Sequence, residues 1–387
     1  MRRILKRFTG LFCVLALCLS MLPVSALAAE DAPSNQPTTL LSDDNVAKIE
    51  ENEYPTLDEA VEAAEDGATI ELLADATTKG WNLTKSLTIT SAPDLAEKPT
   101  VTFEKDGIAL WGKTLTFKGI DVVMNGVGST PYGEWTWMTI CASKDAVLAL
   151  DNVNMTMDAT GSTGSPHAIY FCSNNKLNLT NGSVLTIKNY PNDALEWDGG
   201  DGGYNVNITN STFISDHNRS GFTGTFYATI TNSKVDVVNS LGNGSNGSHF
   251  IIEDSEVNFN NNGSHGLSAG ELSIDNSTVN TKNNNGMGIT VNNAFTVENG
   301  SIVTVTGNAG NSSYGYAAVR LYNDYPFTVD STSELYIEDN NNTGLYVRQG
   351  NLTVEDGAVL KITGNKVSHS LLDGYGGGIY VGYGNNY

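Results

Sequence analysis

The sequence predicts an all-β solenoid of parallel strands, three-faced and about eleven coils long, behind a short N-terminal capping α-helix. Three features carry this. A short text recurs along the chain, as LNLTNGSVLTI at 177, VNITNSTFI at 206, LSIDNSTVNT at 272 and FTVENGSIVTV at 295. Within each copy apolar and polar residues alternate at period two, which is the strand pattern. The breaks between runs are Asn, Asp, Gly and Ser, the residues of tight turns.

Anchoring each copy on its third residue gives Ile89, Phe117, Leu150, Leu179, Ile208, Ile230, Ile252, Ile274, Val297, Val329 and Val354, with spacings of 28, 33, 29, 29, 22, 22, 22, 23, 32 and 25. A period of 22 held over three steps marks a repeat architecture. Three alternating runs per period with no helix between them, as FTV, IVTV and AAVRLY in residues 295–322, require each strand to pair with its equivalent one coil on. At ~4.8 Å per coil the stack is about 50 Å long. Two residues after the anchors stand Asn152, Asn181, Asn210, Asn232, Asp254, Asn276 and Asn299, then Ser331 and Asp356. Asn and Asp tolerate left-handed backbone, and stacked amides bond along a ladder. The many N-x-S/T triplets are therefore read as the turn signature of the coil rather than as glycosylation acceptors.

Ahead of the repeat, residues 1–28 open with Arg2, Arg3, Lys6 and Arg7, continue as an apolar run and end at Ala26-Leu27-Ala28, which reads as a cleaved secretory signal peptide. Leu17 before Cys18 argues against a lipoprotein. Residues 29–48, rich in Pro, Ser and Asp, are expected to be a disordered lead-in. Residues 49–80 carry the cap and first strand. Thr56-Leu57-Asp58-Glu59 is a capping box, Leu57, Ala60, Val61 and Ala64 share a helical face, and Gly67 suits its end. Residues 81–387 are the solenoid. Its last text, GGIYVGYGNNY, stops inside a coil, so a truncated C-terminal end is expected.

Charge and cysteine content narrow the function. The net charge of −22 becomes −26 once the four basic residues of the signal are removed. Such a charge repels nucleic acid and anionic lipid, and no later stretch holds the ~18 apolar residues of a membrane span. A secreted or cell-surface protein facing a polysaccharide or glycoprotein surface is expected, with no nucleic acid and no membrane insertion. Beyond the signal only Cys141 and Cys172 remain, so disulfides do not build the fold.

The third strands align as HAIYFCS, DALEWDG, SGFTGTF, HGLSAGE, MGITVNN, AAVRLYN, TGLYVRQ and GGIYVGY, with Ile169, Leu195, Phe222, Leu267, Ile289, Val319, Leu345 and Ile379 pointing inward. Outward on this face fall Tyr170 with Cys172, Glu196 with Asp198, and Thr223 with Thr225. Residues two apart on a strand lie about 6.5 Å apart, near the lower end of an inverting glycosidase pair. Glu196, Asp198, Arg219 and His217 are thus the candidate catalytic residues. Asp193, Glu196, Asp198 and Asp201 are the candidate metal ligands, and His167 is expected near Asp193 across one coil. No cofactor is required, although the carboxylates suit Ca²⁺. A second patch, Arg320, Tyr322, Tyr346, Arg348 and Tyr380, offers rings and guanidinium groups to sugars. The same residues also make a self-stabilising ladder. Cys141 and Cys172 fall in one register as a possible disulfide.

On the helix TLDEAVEAAEDGATIEL leading into a first strand, and on the [LIVF]-x-[LIV]-x-[ND]-[GS] coil signature, the chain resembles the right-handed parallel β-helix proteins of the pectin-lyase-like superfamily, especially repeat-rich bacterial surface proteins. The resemblance spans about residues 50–387. It implies an adhesin-like protein that binds glycans or host matrix without catalysis. The alternative is a polysaccharide lyase or glycoside hydrolase with an acidic site on the third-strand face. An enzyme of this architecture needs long loops beside one sheet, and the 22-residue coils leave almost none.

Overall fold

The structure, a computed structural model, describes residues 45–128, 137–172, 174–198, 205–308, 317–366 and 377–382. The expected signal peptide, residues 1–28, and all but the end of the expected lead-in lie outside the described residues. The described chain forms a parallel β-solenoid of about ten turns. No helix among the described residues is long and apolar enough to cross a membrane.

The anchor column forms one continuous ladder. Ile70, Ile89, Phe117, Leu150, Leu179, Ile208, Ile230, Ile252, Ile274, Val297, Val329 and Val354 are successive Cα partners. A second ladder of twelve strands runs from Ala76–Thr78 to Val359–Thr363. A third begins as seven strands, Trp81–Leu83 to Ser245–Asn246. It continues through Leu267–Asp275 into Ile289–Val291, Ala317–Leu321, Thr343–Val347 and Ile379–Val381. Leu267–Asp275 is one unbroken strand serving a third-ladder rung and the next first-ladder rung, so the corner between them is lost there. The rung at Ser245–Asn246 is missing from the sequence alignment, because a two-residue strand opening on serine carries no apolar pattern.

Alternation explains the core. In Val184–Lys188, Leu185 and Ile187 are buried while the residues between face solvent in part, and the pattern repeats rung after rung. Each buried Leu or Ile contributes roughly 2 kcal/mol by leaving water. Aromatic rings cluster in the core of the 22-residue coils, where Phe222 meets Phe213, Phe226, Phe250 and Phe259 at centroid distances of 5.1, 5.3, 5.7 and 6.4 Å.

The corners are built from polar ladders. Asn152, Asn181, Asn210, Asn232, Asp254, Asn276 and Asn299 all hold left-handed φ between 43° and 57°. Their amides bond between coils, as Asn232 Nδ2 to Asn210 Oδ1 at 2.6 Å. The following serine turns inward and accepts a backbone N–H from the coil before it: Ser211 N to Ser233 Oγ, Ser233 N to Ser255 Oγ and Ser255 N to Ser277 Oγ are each 3.0 Å. This is why the coil text reads Asn/Asp then Ser. A second corner, unforeseen from sequence, repeats the device with Asn239, Asn261 and Asn283 left-handed and Asn262, Asn284, Asn308 and Asn340 buried.

The helix is Leu57–Ala63, with Thr56 Oγ1 accepting from Glu59 N at 3.2 Å. Asp58 ties it to the first coil, accepting from Thr78 Oγ1 at 2.5 Å and from the Trp81 indole at 3.1 Å. The lead-in expectation is corrected at its end. Ala47–Ile49 is a strand, paired antiparallel with both Asn52–Tyr54 and Ala68–Leu72. The hairpin supplies backbone partners to the first rung, which would otherwise be a bare edge.

Candidate functional site

The third ladder places the acidic stretch as the alignment requires, with Ile169 opposite Leu195 opposite Phe222, and Tyr170 opposite Glu196 opposite Thr223. His167 opens the strand His167–Cys172; one coil on, Glu196 lies in the strand Leu195–Asp198 and Asp193 in the turn two residues before it. The three side chains meet. His167 Nδ1 stands 3.8 Å from Asp193 Oδ2 and directly abuts Glu196 Oε2, and one donor atom from each residue lies within 4.8 Å of the others. His167 is 8% exposed and Asp193 4%. His167 Nδ1 and Glu196 Oε2 are shielded from solvent, yet their contact lacks the alignment of a hydrogen bond. Burial raises the Asp193 carboxyl above its ordinary range, reinforced by the Glu196 charge and opposed by Ser220, His167 and Arg219.

Beside this trio sits an aromatic cluster outside the main core. Met138, Cys141 and Tyr170 are buried together, with Trp111 and Cys172 packed against them. Trp137, one residue before the strand Met138–Ser143, is 49% exposed. Its ring lies 6.1 Å from His167, edge-on, and 6.5 Å from Tyr170, tilted by 30°. The Trp111 indole donates to Asn82 Oδ1 at 2.7 Å. Strands such as His167–Cys172 are thus covered on both faces over most of their length, and their near-continuous apolar text reflects it.

Several expectations change. His217 is exposed and turned to Asp216, 2.6 Å from its Oδ1, so it does not join Glu196. Arg219 is also exposed and acts on Asp193 only as a charge. Asp198 occupies the strand end opposite Cys172, but its side chain, and Asp201 entirely, lie outside the described residues. Cys141 pairs with Tyr170, two positions from Cys172, and both cysteines remain thiols. The shared letters of ICAS and YFCS suggest a register at the cysteines, but burial sets it at Ile140 and Ile169, which are the true partners.

The second patch assembles as a ladder. Arg320 pairs with Tyr346, and Tyr346 with Tyr380. The guanidinium carbon lies 3.8 Å from the Tyr322 ring centre and 5.6 Å from that of Tyr346, while Tyr346 and Tyr380 stack at 5.2 Å and 14°. Tyr346 is buried in that stack, and Arg348, in register with Tyr322, is half-buried. The rings cover one another, which leaves less face for a sugar than the sequence suggests. An open groove of about 540 Å³ runs along the first corner past Asn210, Asn232 and Asp254, but its amides already bond to one another.

No family model, curated protein or solved structure matches the chain. Function must therefore be read from geometry. Trp111 and Trp137 are absent from the sequence candidates; Trp137 had one visible signal, since it closes the text WTW in the coil with the widest spacing, 33 residues.

Proposed function

We propose that the protein is an exported or cell-surface solenoid, right-handed and of the pectin-lyase-like kind, that binds glycan on its third-ladder face without cleaving it. The supporting observation is Trp137, a half-exposed indole set beside Tyr170 and against the His167 imidazole. A flat ring stacks on a sugar face while neighbouring carboxylate and imidazole groups bond its hydroxyls. Catalysis by the candidate set Glu196, Asp198, Arg219 and His217 is disfavoured because His217 turns to Asp216 instead of joining Glu196, and Glu196 itself packs against the buried His167. Export is supported by the signal-like residues 1–28, and solubility there by the acidic charge.

The test is a screen of plant, mucin and matrix glycans scored for both binding and cleavage. Trp137→Ala should weaken any binding roughly tenfold, the worth of one stacked ring. Tyr380→Ala should leave it unchanged. Release of new reducing ends or unsaturated products would overturn the non-enzymatic reading.

A further inference from the structure

We infer that His167 Nδ1, Asp193 and Glu196 bind one first-row transition dication, with Zn²⁺ as its type, rather than calcium. The trio lies on adjacent coils whose register is fixed by Ile169–Leu195 pairing; His167 and Glu196 are strand residues, and Asp193, in the turn two residues before its strand, is tied to the neighbouring coil by its carbonyl, which accepts Ala168 N at 3.0 Å. The His167 side chain is nine-tenths buried, and its Nδ1, shielded from water and without a hydrogen-bond partner, lies close to both carboxylates. Two carboxyl groups converge on one imidazole nitrogen, the donor set that a cation gathers. A dication supplies two units of positive charge at once, and the exposed Arg219 supplies only a distant one.

The ligand chemistry selects the class. Calcium and magnesium take oxygen shells, whereas an imidazole with carboxylates suits zinc and its neighbours. Zinc bonds of about 2.0–2.2 Å place tetrahedral ligands roughly 3.4 Å apart. The 3.8 Å between His167 and Asp193 is close to that, and Glu196, partly exposed with three side-chain torsions, need only swing outward. The His167 proton then sits on Nε2. Three protein ligands leave a coordination position open, as in zinc sites that take a further ligand. This assignment does not depend on glycan binding, since it is read on the protein alone.

The experiment titrates chelator-stripped full-length protein with Zn²⁺, Co²⁺ and Ca²⁺ separately, by calorimetry and by the visible absorption of bound Co²⁺. One Zn²⁺ per chain, a Co²⁺ spectrum and a rise in the wild-type thermal midpoint with Zn²⁺ are expected, with no response to the same concentration of Ca²⁺. His167→Gln and Glu196→Gln should each weaken Zn²⁺ at least tenfold, and His217→Gln should not. Absence of Zn²⁺ binding in the wild type, equal affinity for Ca²⁺, or full Zn²⁺ affinity in a folded His167→Gln variant would each overturn the assignment. The midpoint shift needs no variant, so a variant that fails to fold does not stop the test.

Discussion

Asn284 Nδ2 donates to Asn308 Oδ1 at 2.9 Å inside the solenoid, where both side chains are sealed from solvent. The same oxygen of Asn308 accepts Asn284 N at 3.1 Å, and Asn284 Oδ1 in turn accepts both the backbone N and the Nδ2 of Asn262 at 2.9 Å. Asn284 Nδ2 also reaches Phe259 O at 2.8 Å. Each amide thus satisfies a corner that the strands leave open. Asn284→Ala should orphan buried groups on both sides and destabilise by about 2–4 kcal/mol in urea unfolding. Its neighbour Asn283, exposed at φ 56°, should accept glycine with a change below about 1 kcal/mol. Equal losses in the two variants would refute the ladder's role.

A glycine column makes room for that ladder. A Cβ on Gly266 would lie 2.6 Å from Asn284 Nδ2 and 2.8 Å from Gly288 O, and one on Gly288 would lie 2.8 Å from Asn308 Nδ2. Neither glycine has a left-handed φ, so the requirement is space and not backbone freedom. Gly266→Ala should destabilise by about 1–3 kcal/mol through overpacking. At Gly182, φ 81° with nothing near the added carbon, alanine should cost about 1–2 kcal/mol by backbone strain alone. A structure of the Gly266→Ala variant should show Asn284 displaced, and an unmoved Asn284 at full stability would contradict the packing account.

The anchors show how much of the fold was legible. Every one from Ile89 to Val354 falls in a single ladder, because burying alternate residues at a fixed register forces an apolar period that sequence displays. His167 near Asp193 was legible for the same reason, since stacking distance alone joins them. Asn262 and Asn284 were not, because a buried asparagine and a solvated turn asparagine are the same letter and differ only in their partners. Trp137 was hidden because it precedes its strand, where alternation no longer says which way a side chain points.

Stability should fall with acid through His265. Its Nδ1 accepts Met287 N at 3.0 Å, and burial, followed by the Arg320 charge, holds its pKa below the ordinary value. The unfolded chain takes up a proton near pH 6.5 while the folded one resists, so the contribution is present above that pH and is lost as pH falls through it. Thermal midpoints of wild type and His265→Gln, compared at neutral and mildly acidic pH, should converge on acidification. Parallel curves would place the acid sensitivity elsewhere.

The cysteines offer a last check on register. With Cys141 opposite Tyr170 and Cys172 two positions along, a disulfide would need the strands to slip, and a parallel ladder pinned at Ile140–Ile169 resists that. Burial, then the nearby Cys172, pushes the Cys141 thiol up to about 12, which leaves almost no thiolate at neutral pH. Intact mass should therefore be the same before and after reduction. Iodoacetamide on the native protein should spare Cys141 and modify it on denaturation, whereas Cys172, partly exposed, should react earlier. Rapid native alkylation of Cys141 would mean that the aromatic cluster around Trp111 and Tyr170 opens in solution, and with it the floor beneath Trp137.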